Sequence, residues 1–290
     1  MKKTFLSLVL ISFLCAVSTS TAQNSWQPQE WPVLKHYDQD HLKQVSLPLG
    51  GIGTGVVGLG GRGELRDWEI MNVPGVGYST VTPGNDAPFF AIYAKEEGKE
   101  PKAKLLAGKM YSDEYLAAEG RPYDHHGFPR FRKASFDAAY PFGQVNLEDE
   151  NMPVKVRIKG FNPLVPGDEE MSGIPVAILS YEVTNLTDKP LEAAVCGSIR
   201  NFIGKDGTQF GFDWKCDYIP HGNGRNVNEF REDAAEGVRG IYFRAVDLDS
   251  TQTAWGNMCL STDAGTGVSH REYCTGFYFD EPGKEAKIST

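Results

Sequence analysis

The chain has 290 residues, 40% of them hydrophobic and 23% charged, enough for the core of one large all-β domain or two small ones. Its formal charge of −9, with no basic stripe, excludes a nucleic-acid binder that works by counterion release. Beyond the first residues no apolar run is long enough for a membrane helix.

Residues 1–22 read as a signal peptide. Lys2 and Lys3 form a charged start, Phe5 to Val17 an apolar centre too short to span a bilayer, and Ser20-Thr21-Ala22 a small-residue cleavage site. The expected address is periplasmic or extracellular. Cys15 raises lipidation as the lesser alternative, because Phe13 and Leu14 before it are not small. Four further cysteines, Cys196, Cys216, Cys259 and Cys274, have neither CxxC nor zinc-finger spacing, so no structural metal is expected. Export permits disulfides, yet buried free thiols suit a domain of this size at least as well.

Residues 23–44 read as an extended arm whose Trp26 and Trp31 dock on the body. Then comes LPLGGIGTGVVGLGGRGELRDWEIMN, Leu47 to Asn72, with eight glycines between Gly50 and Gly63. Strand signals dominate the rest of the chain. Pro88 to Ala94 is aromatic and apolar behind a turn-rich segment. Val154, Val156 and Ile158 alternate with Lys155, Arg157 and Lys159, as in a half-buried strand. Ile174 to Val183 is nearly all apolar, which predicts a strand covered on both faces. A polar turn, Thr184 to Pro190, leads into Leu191 to Ile199, and the two strands are expected to pair as an antiparallel hairpin. Gly240 to Val246, Ala254 to Ser261 and Val268 to Phe279 read as further strands. Ser112 to Glu119 is a short helix candidate, and Gly222 to Gly237 a long loop with a helical turn around Glu229 to Ala235. The fold class expected is all-β: an antiparallel β-sandwich with long loops and few short helices.

Several motifs have competing readings. Gly53-Thr54-Gly55-Val56-Val57-Gly58 matches GxGxxG, but more glycines follow where a dinucleotide site needs a helix. A glycine-spaced hairpin or bulged strand pair with close backbone packing is the better reading, and no cofactor is expected. Asp67 and Glu69 would share one face of an extended strand, with Cα atoms roughly 6.5–7 Å apart. Glycoside hydrolysis uses carboxylates roughly 5 to 10 Å apart. An ion network with Arg62 and Arg66 is the more economical reading of these acids. His125-His126 sits in a loop and makes a poor chelate. Asn185-Leu186-Thr187 is formally a glycosylation sequon, but turn chemistry alone accounts for Asn185, Thr187 and Asp188.

Four segments together resemble the N-terminal domain of glycoside hydrolase family 116, the family of the non-lysosomal glucosylceramidase and bacterial β-glucosidases. They are Pro48-Leu49-Gly50-Gly51-Ile52-Gly53-Thr54-Gly55 with Arg62-Gly63, Trp68 and Asn72; Ala139-Tyr140-Pro141; Pro163-Leu164-Val165-Pro166 through Ser172-Gly173-Ile174-Pro175-Val176; and Tyr181-Glu182-Val183-Thr184-Asn185 through Ser198-Ile199-Arg200-Asn201. The resemblance runs from about Val45 onward, so residues 45–290 are expected to be this domain, incomplete at its C-terminus. It implies a sandwich packed against a catalytic α/α barrel of the same polypeptide. It also implies retaining hydrolysis of a glycoside through a covalent glycosyl-enzyme, with nucleophile and acid/base both in the barrel. Neither has a position here, so the chain reads as a fragment or a truncated product, inactive alone. Its expected role is to buttress the barrel and wall one side of its cleft, with Arg62, Asp67, Trp68 and Glu69 facing the barrel or the sugar. The alternative is a stand-alone carbohydrate-binding or structural module that stacks sugars on Trp68, Trp214 or Trp255. A third reading makes Asp67 and Glu69 an acid/base pair of its own.

Overall fold

The structure is a computed structural model, and it describes residues 30–70, 88–112, 127–204, 210–212, 218–220 and 225–272, apart from 234, 247, 253 and 266. Leu34–Thr290 form one compact unit. The other, Met1–Val33, lies outside the described residues except for 30–33.

In chain order the first strands are β1 (Lys35–Tyr37), β2 (Ser46–Leu49), β3 (Val56–Gly60), β4 (Leu65–Glu69), β5 (Phe89–Glu96), β6 (Lys102–Gly108) and β7 (Arg130–Phe131). Next come β8 (Lys133–Ala139), β9 (Phe142–Glu148), β10 (Val154–Phe161), the one-turn helix α1 (Glu169–Ser172), β11 (Ile178–Asn185) and β12 (Leu191–Ser198). The last are β13 (Phe210–Phe212), β14 (Tyr218–Pro220), β15 (Arg225–Asp233), β16 (Val238–Val246) and β17 (Asn257–Thr262). Two main sheets have the orders β1-β8-β9-β10-β11 and β12-β5-β6-β7; smaller ones are β2-β3-β4, β15-β16-β17 and β13-β14. This is the all-β sandwich that the strand patterns predict.

Alternation explains how the main sheets meet. Val154, Val156 and Ile158 of β10 are at most 2% exposed, while Lys155 is exposed and Arg157 half-buried. Their inward row joins Phe136 of β8, Val145 and Leu147 of β9, Ile92 of β5 and Leu106 of β6 in one core, which Leu47, Leu49 and Leu59 of the small sheet extend. Each such side chain contributes about 1.5–3 kcal/mol on burial. Lys159 departs from the pattern: on the polar face it is only 5% exposed, and its ammonium donates to Glu182 Oε1 at 2.5 Å. A second core gathers Trp68, Phe202, Ile203 and Phe243 beside the sheet β15-β16-β17.

Several expectations need correction. β11 and β12 are not a hairpin: β11 pairs with β10 and β12 with β5. The Asn185–Pro190 segment carries the chain from one sheet to the other, because each strand completes a different wall of the core. Asn185 Oδ1 does accept from Thr187 N at 2.8 Å, the expected turn chemistry. Nor is Ile174–Val183 a strand covered on both faces. Its strand begins at Ile178 and lies at a sheet edge, with Ile178 and Val183 exposed. Finally, residues 225–233 form a strand rather than a loop, since β15 pairs with β16 along its whole length. The helix expected at Ser112 to Glu119, His125-His126, Cys216, Cys274 and the signal segment lie outside the described residues, save Ser112 itself. So does most of the strand expected at Val268 to Phe279, and its described part, 268–272, is not strand. Cys196 and Cys259 are free and exposed, not buried. Among the described residues no helix is long and apolar enough to cross a membrane.

Candidate functional site

The glycine-rich run folds as β2-β3-β4, an antiparallel meander. The β3–β4 turn is closed by Gly60 N donating to Glu64 O at 2.8 Å and Gly63 N to Gly60 O at 2.9 Å. Gly63 has φ +100°, and a Cβ there would lie 2.7 Å from Leu106 O, so both backbone and space require glycine.

Arg62 ties this turn down. Its Nε and Nη2 donate to Glu64 Oε1 at 3.1 and 2.9 Å, its Nη1 donates to Lys109 O at 3.4 Å, and the guanidinium lies 5.0 Å from the centre of the Tyr111 ring. Its carbonyl accepts from Gly108 N at 2.8 Å. Arg62 is 7% exposed, so these contacts fasten the turn to the end of β6 from within.

A β-bulge decides where the next residues point. Val56 stands opposite Glu69 and Gly58 opposite Arg66, so Asp67 and Trp68 together face Val57. Asp67 takes the left-handed conformation, φ +51°, at a cost of roughly 1–2 kcal/mol that aspartate bears better than most residues. The alternation that would put Asp67 and Glu69 on one face is therefore broken. Arg66 donates from Nε to Asp67 Oδ2 at 3.0 Å and from Nη1 to Lys43 O at 2.7 Å. Trp68 turns inward, 3% exposed, and packs edge-on against Phe202 with ring centres 5.9 Å apart. Asp67 is 9% exposed and Glu69 half-buried. The structure thus brings Arg62, Asp67, Trp68 and Glu69 onto one meander, but the first three face the protein's own interior. Among the described residues no group of three or more His, Cys, Asp or Glu side chains could hold a metal.

What the sequence did not reveal is that the loop before β3 meets the segment that runs from Asn162 to Ile174. Asn162 Nδ2 donates to Gly50 O at 2.9 Å, and Ile52 N donates to Ser172 O at 2.8 Å. A Cβ on Gly51 would lie 2.5 Å from the carbonyl carbon of Gly173, so only glycine permits this approach. Ser172 Oγ closes its own loop, accepting from Val165 N at 2.9 Å and donating to Val165 O at 3.0 Å. Two of the resembling segments, far apart in sequence, are clamped into one surface. A signal was available: both carry a Gly-Ile pair. Of the tryptophans proposed for stacking, Trp68 is core, Trp214 lies outside the described residues, and Trp255 is 51% exposed.

A sandwich core, a glycine-spaced meander and a clamp between segments far apart in sequence are the features that surround the candidate residues. Residues 46–288 match the family described as beta-glucosidase 2, glycosyl-hydrolase family 116 N-term. The match covers most of the chain, which belongs to this family of N-terminal domains.

Proposed function

We propose that this chain is the amino-terminal sandwich of an exported, retaining β-glycosidase of the glucosylceramidase/β-glucosidase type, and that it buttresses a catalytic α/α barrel of the same polypeptide. The observation that carries the reading is the family match over residues 46–288. The catalytic carboxylates then belong to the barrel, and this chain alone is inactive. The burial of Asp67 and its tie to Arg66 support a structural role for it, not an acid/base one. Export rests on Lys2, Lys3 and the apolar run Phe5 to Val17. The test is an assay of the purified 290-residue chain on aryl β-glucosides. No turnover is expected; turnover that disappears on replacing a carboxylate of this chain sinks the reading.

The exposure of Trp255 favours a second reading, a carbohydrate-binding module. Titration calorimetry with oligosaccharides separates the two, since the module requires binding that Trp255→Ala removes.

A further inference from the structure

The main core stops abruptly at β12. Ala94 and Ile92 of β5 are 1% and 0% exposed. Their cross-strand partners on β12, Ala193 and Val195, are both exposed, Val195 to 40%. Every residue from Glu192 to Gly197 is exposed, so neither face of the strand is covered, although a sandwich strand ordinarily packs one face on the opposite sheet. Among the described residues β12 pairs with β5 alone and ends its sheet, which leaves one side of its backbone open to a further strand. Exposed edges are usually guarded by charges, prolines or bulges. Ala193 to Gly197 contains no charge and no proline, and the pairing with β5 runs from Leu191 to Ser198 without a bulge.

We infer that Tyr273 to Phe279 of the same chain is the strand that takes this edge, antiparallel to β12. Its sequence, Tyr-Cys-Thr-Gly-Phe-Tyr-Phe, is rich in strand formers, and alternation puts Tyr273, Thr275, Phe277 and Phe279 in one row. Residues 273–288 fall within the family match and so belong to this domain. The position of Glu272 selects the edge. Glu272 O accepts from Asn228 Nδ2 at 2.6 Å, and Asn228 Oδ1 accepts from Asn201 Nδ2 at 2.8 Å. Asn201 follows closely on Ser198, where β12 ends, so a strand that starts after Glu272 can run back along β12 toward Leu191. The edge of β15 is the nearer rival. His270 stacks on Phe230 and Glu272 reaches Asn228, so the chain runs antiparallel to β15 with only Arg225 to Val227 still ahead of it. β12 offers all of Leu191–Ser198. A tethered segment also has an effective concentration in roughly the millimolar range, above that of a second copy in dilute solution. With the aromatic row turned to the core, large rings cover the small Ala193, Val195 and Gly197, and Cys274 emerges on the same face as Cys196.

The native thiols test this placement. The reduced, folded 290-residue chain is treated with a short bismaleimide, digested and mapped by mass spectrometry. A link between Cys196 and Cys274 within one chain is expected. Of Thr275→Pro and Gly276→Pro, the one whose N–H faces β12 should lower the yield of that link roughly ten-fold and speed amide exchange over 191–198 by a similar factor, with exchange over β10 unchanged. The linkage pattern of the parent decides even where a proline variant fails to fold. Cys274 linked to Cys216 or Cys259 in place of Cys196 overturns the proposal, as does a link that neither proline lowers. A Cys196–Cys196 link between two chains makes a second copy the occupant and overturns it. Proline-sensitive exchange over 178–185 instead of 191–198 moves the segment to β11 and overturns it as well.

Discussion

Replacing Asp149 with asparagine exchanges one carboxylate oxygen for an amide and hardly alters the side chain's shape, yet it should cost this fold about 3–5 kcal/mol. The Asp149 side chain is 0% exposed and that of Lys104 is 13% exposed. Lys104 Nζ donates to Asp149 Oδ2 at 2.5 Å and to Arg130 O at 3.0 Å. Asp149 also accepts from Arg132 N at 3.1 Å and from Asn151 N at 2.9 Å. One carboxylate therefore joins β6, the entry to β8 and the β9–β10 turn. At an effective dielectric of about 20, charges 2.5 Å apart attract by about 7 kcal/mol, and in the intact pair the desolvation of both ions offsets much of that. The asparagine variant keeps the desolvation of Lys104 and loses its charged partner, leaving only the Arg130 carbonyl. Adding Lys104→Met removes the orphaned ammonium, while the oxygen of the new amide still accepts a backbone N–H. The double variant should therefore fall within about 2 kcal/mol of the parent.

The assay is urea unfolding with linear extrapolation, at several pH values. Burial alone raises the Asp149 carboxyl, but Lys104 and the Asn151 and Arg132 N–H groups outweigh it and hold the group below its ordinary 3.8. A carboxyl lowered in the folded state contributes stability that is present above the unfolded pKa, 3.8, and lost as pH falls through the folded one. The parent should therefore lose this contribution below pH 3.8, and Asp149→Asn should lack that part of the acid limb. A cost below about 1 kcal/mol, or an acid limb the same in both proteins, refutes the reasoning.

Trp68→Ala should cost about 3–5 kcal/mol in the same assay, because it empties a buried aromatic site against Phe202; a cost below about 1 kcal/mol would take Trp68 out of the core. Gly63→Ala should lower the unfolding midpoint by the equivalent of about 1–3 kcal/mol, through both its φ and the close Leu106 carbonyl, and an unchanged midpoint contradicts the turn geometry. Cys196 and Cys259 should both be labelled by a thiol reagent in the folded chain, as peptide mapping by mass spectrometry can read; labelling only after unfolding contradicts their exposure.

The sequence revealed elements whose apolar residues keep a period. β10 was legible because Val154, Val156 and Ile158 alternate with charges, and β5 because a turn bounds its apolar run. β8 and β9 were not singled out although Ala134 and Phe136, and Val145 and Leu147, keep the same period of two; their inward rows are shorter in large apolar residues than that of β10. β15 was hidden because Val227 and Phe230 fall on opposite sides of the strand alternation, and its pairing with β16 supplies what its own pattern lacks. The turn between β11 and β12 has hairpin chemistry. Which sheet each strand enters is decided by the long-range pairs with β10 and β5, which local sequence does not encode.

The candidate site shows the same limit in a sharper form. The charges after the glycine run look reactive because they are dense, but density also serves folding: Arg62 is held by Glu64 and Tyr111, and Arg66 by Lys43 O and Asp67. The bulge at Asp67 shifts the alternation by one residue, which sends Trp68 into the core, and nothing in the local pattern announces such an insertion. These polar groups find partners within the domain. Ile52, Val165 and the run Ile174 to Ile178 keep water against apolar surface although backbone bonds fix their positions. The close approach at Gly51 brings these two segments into contact and leaves Ile52 and Ile174 exposed beside it.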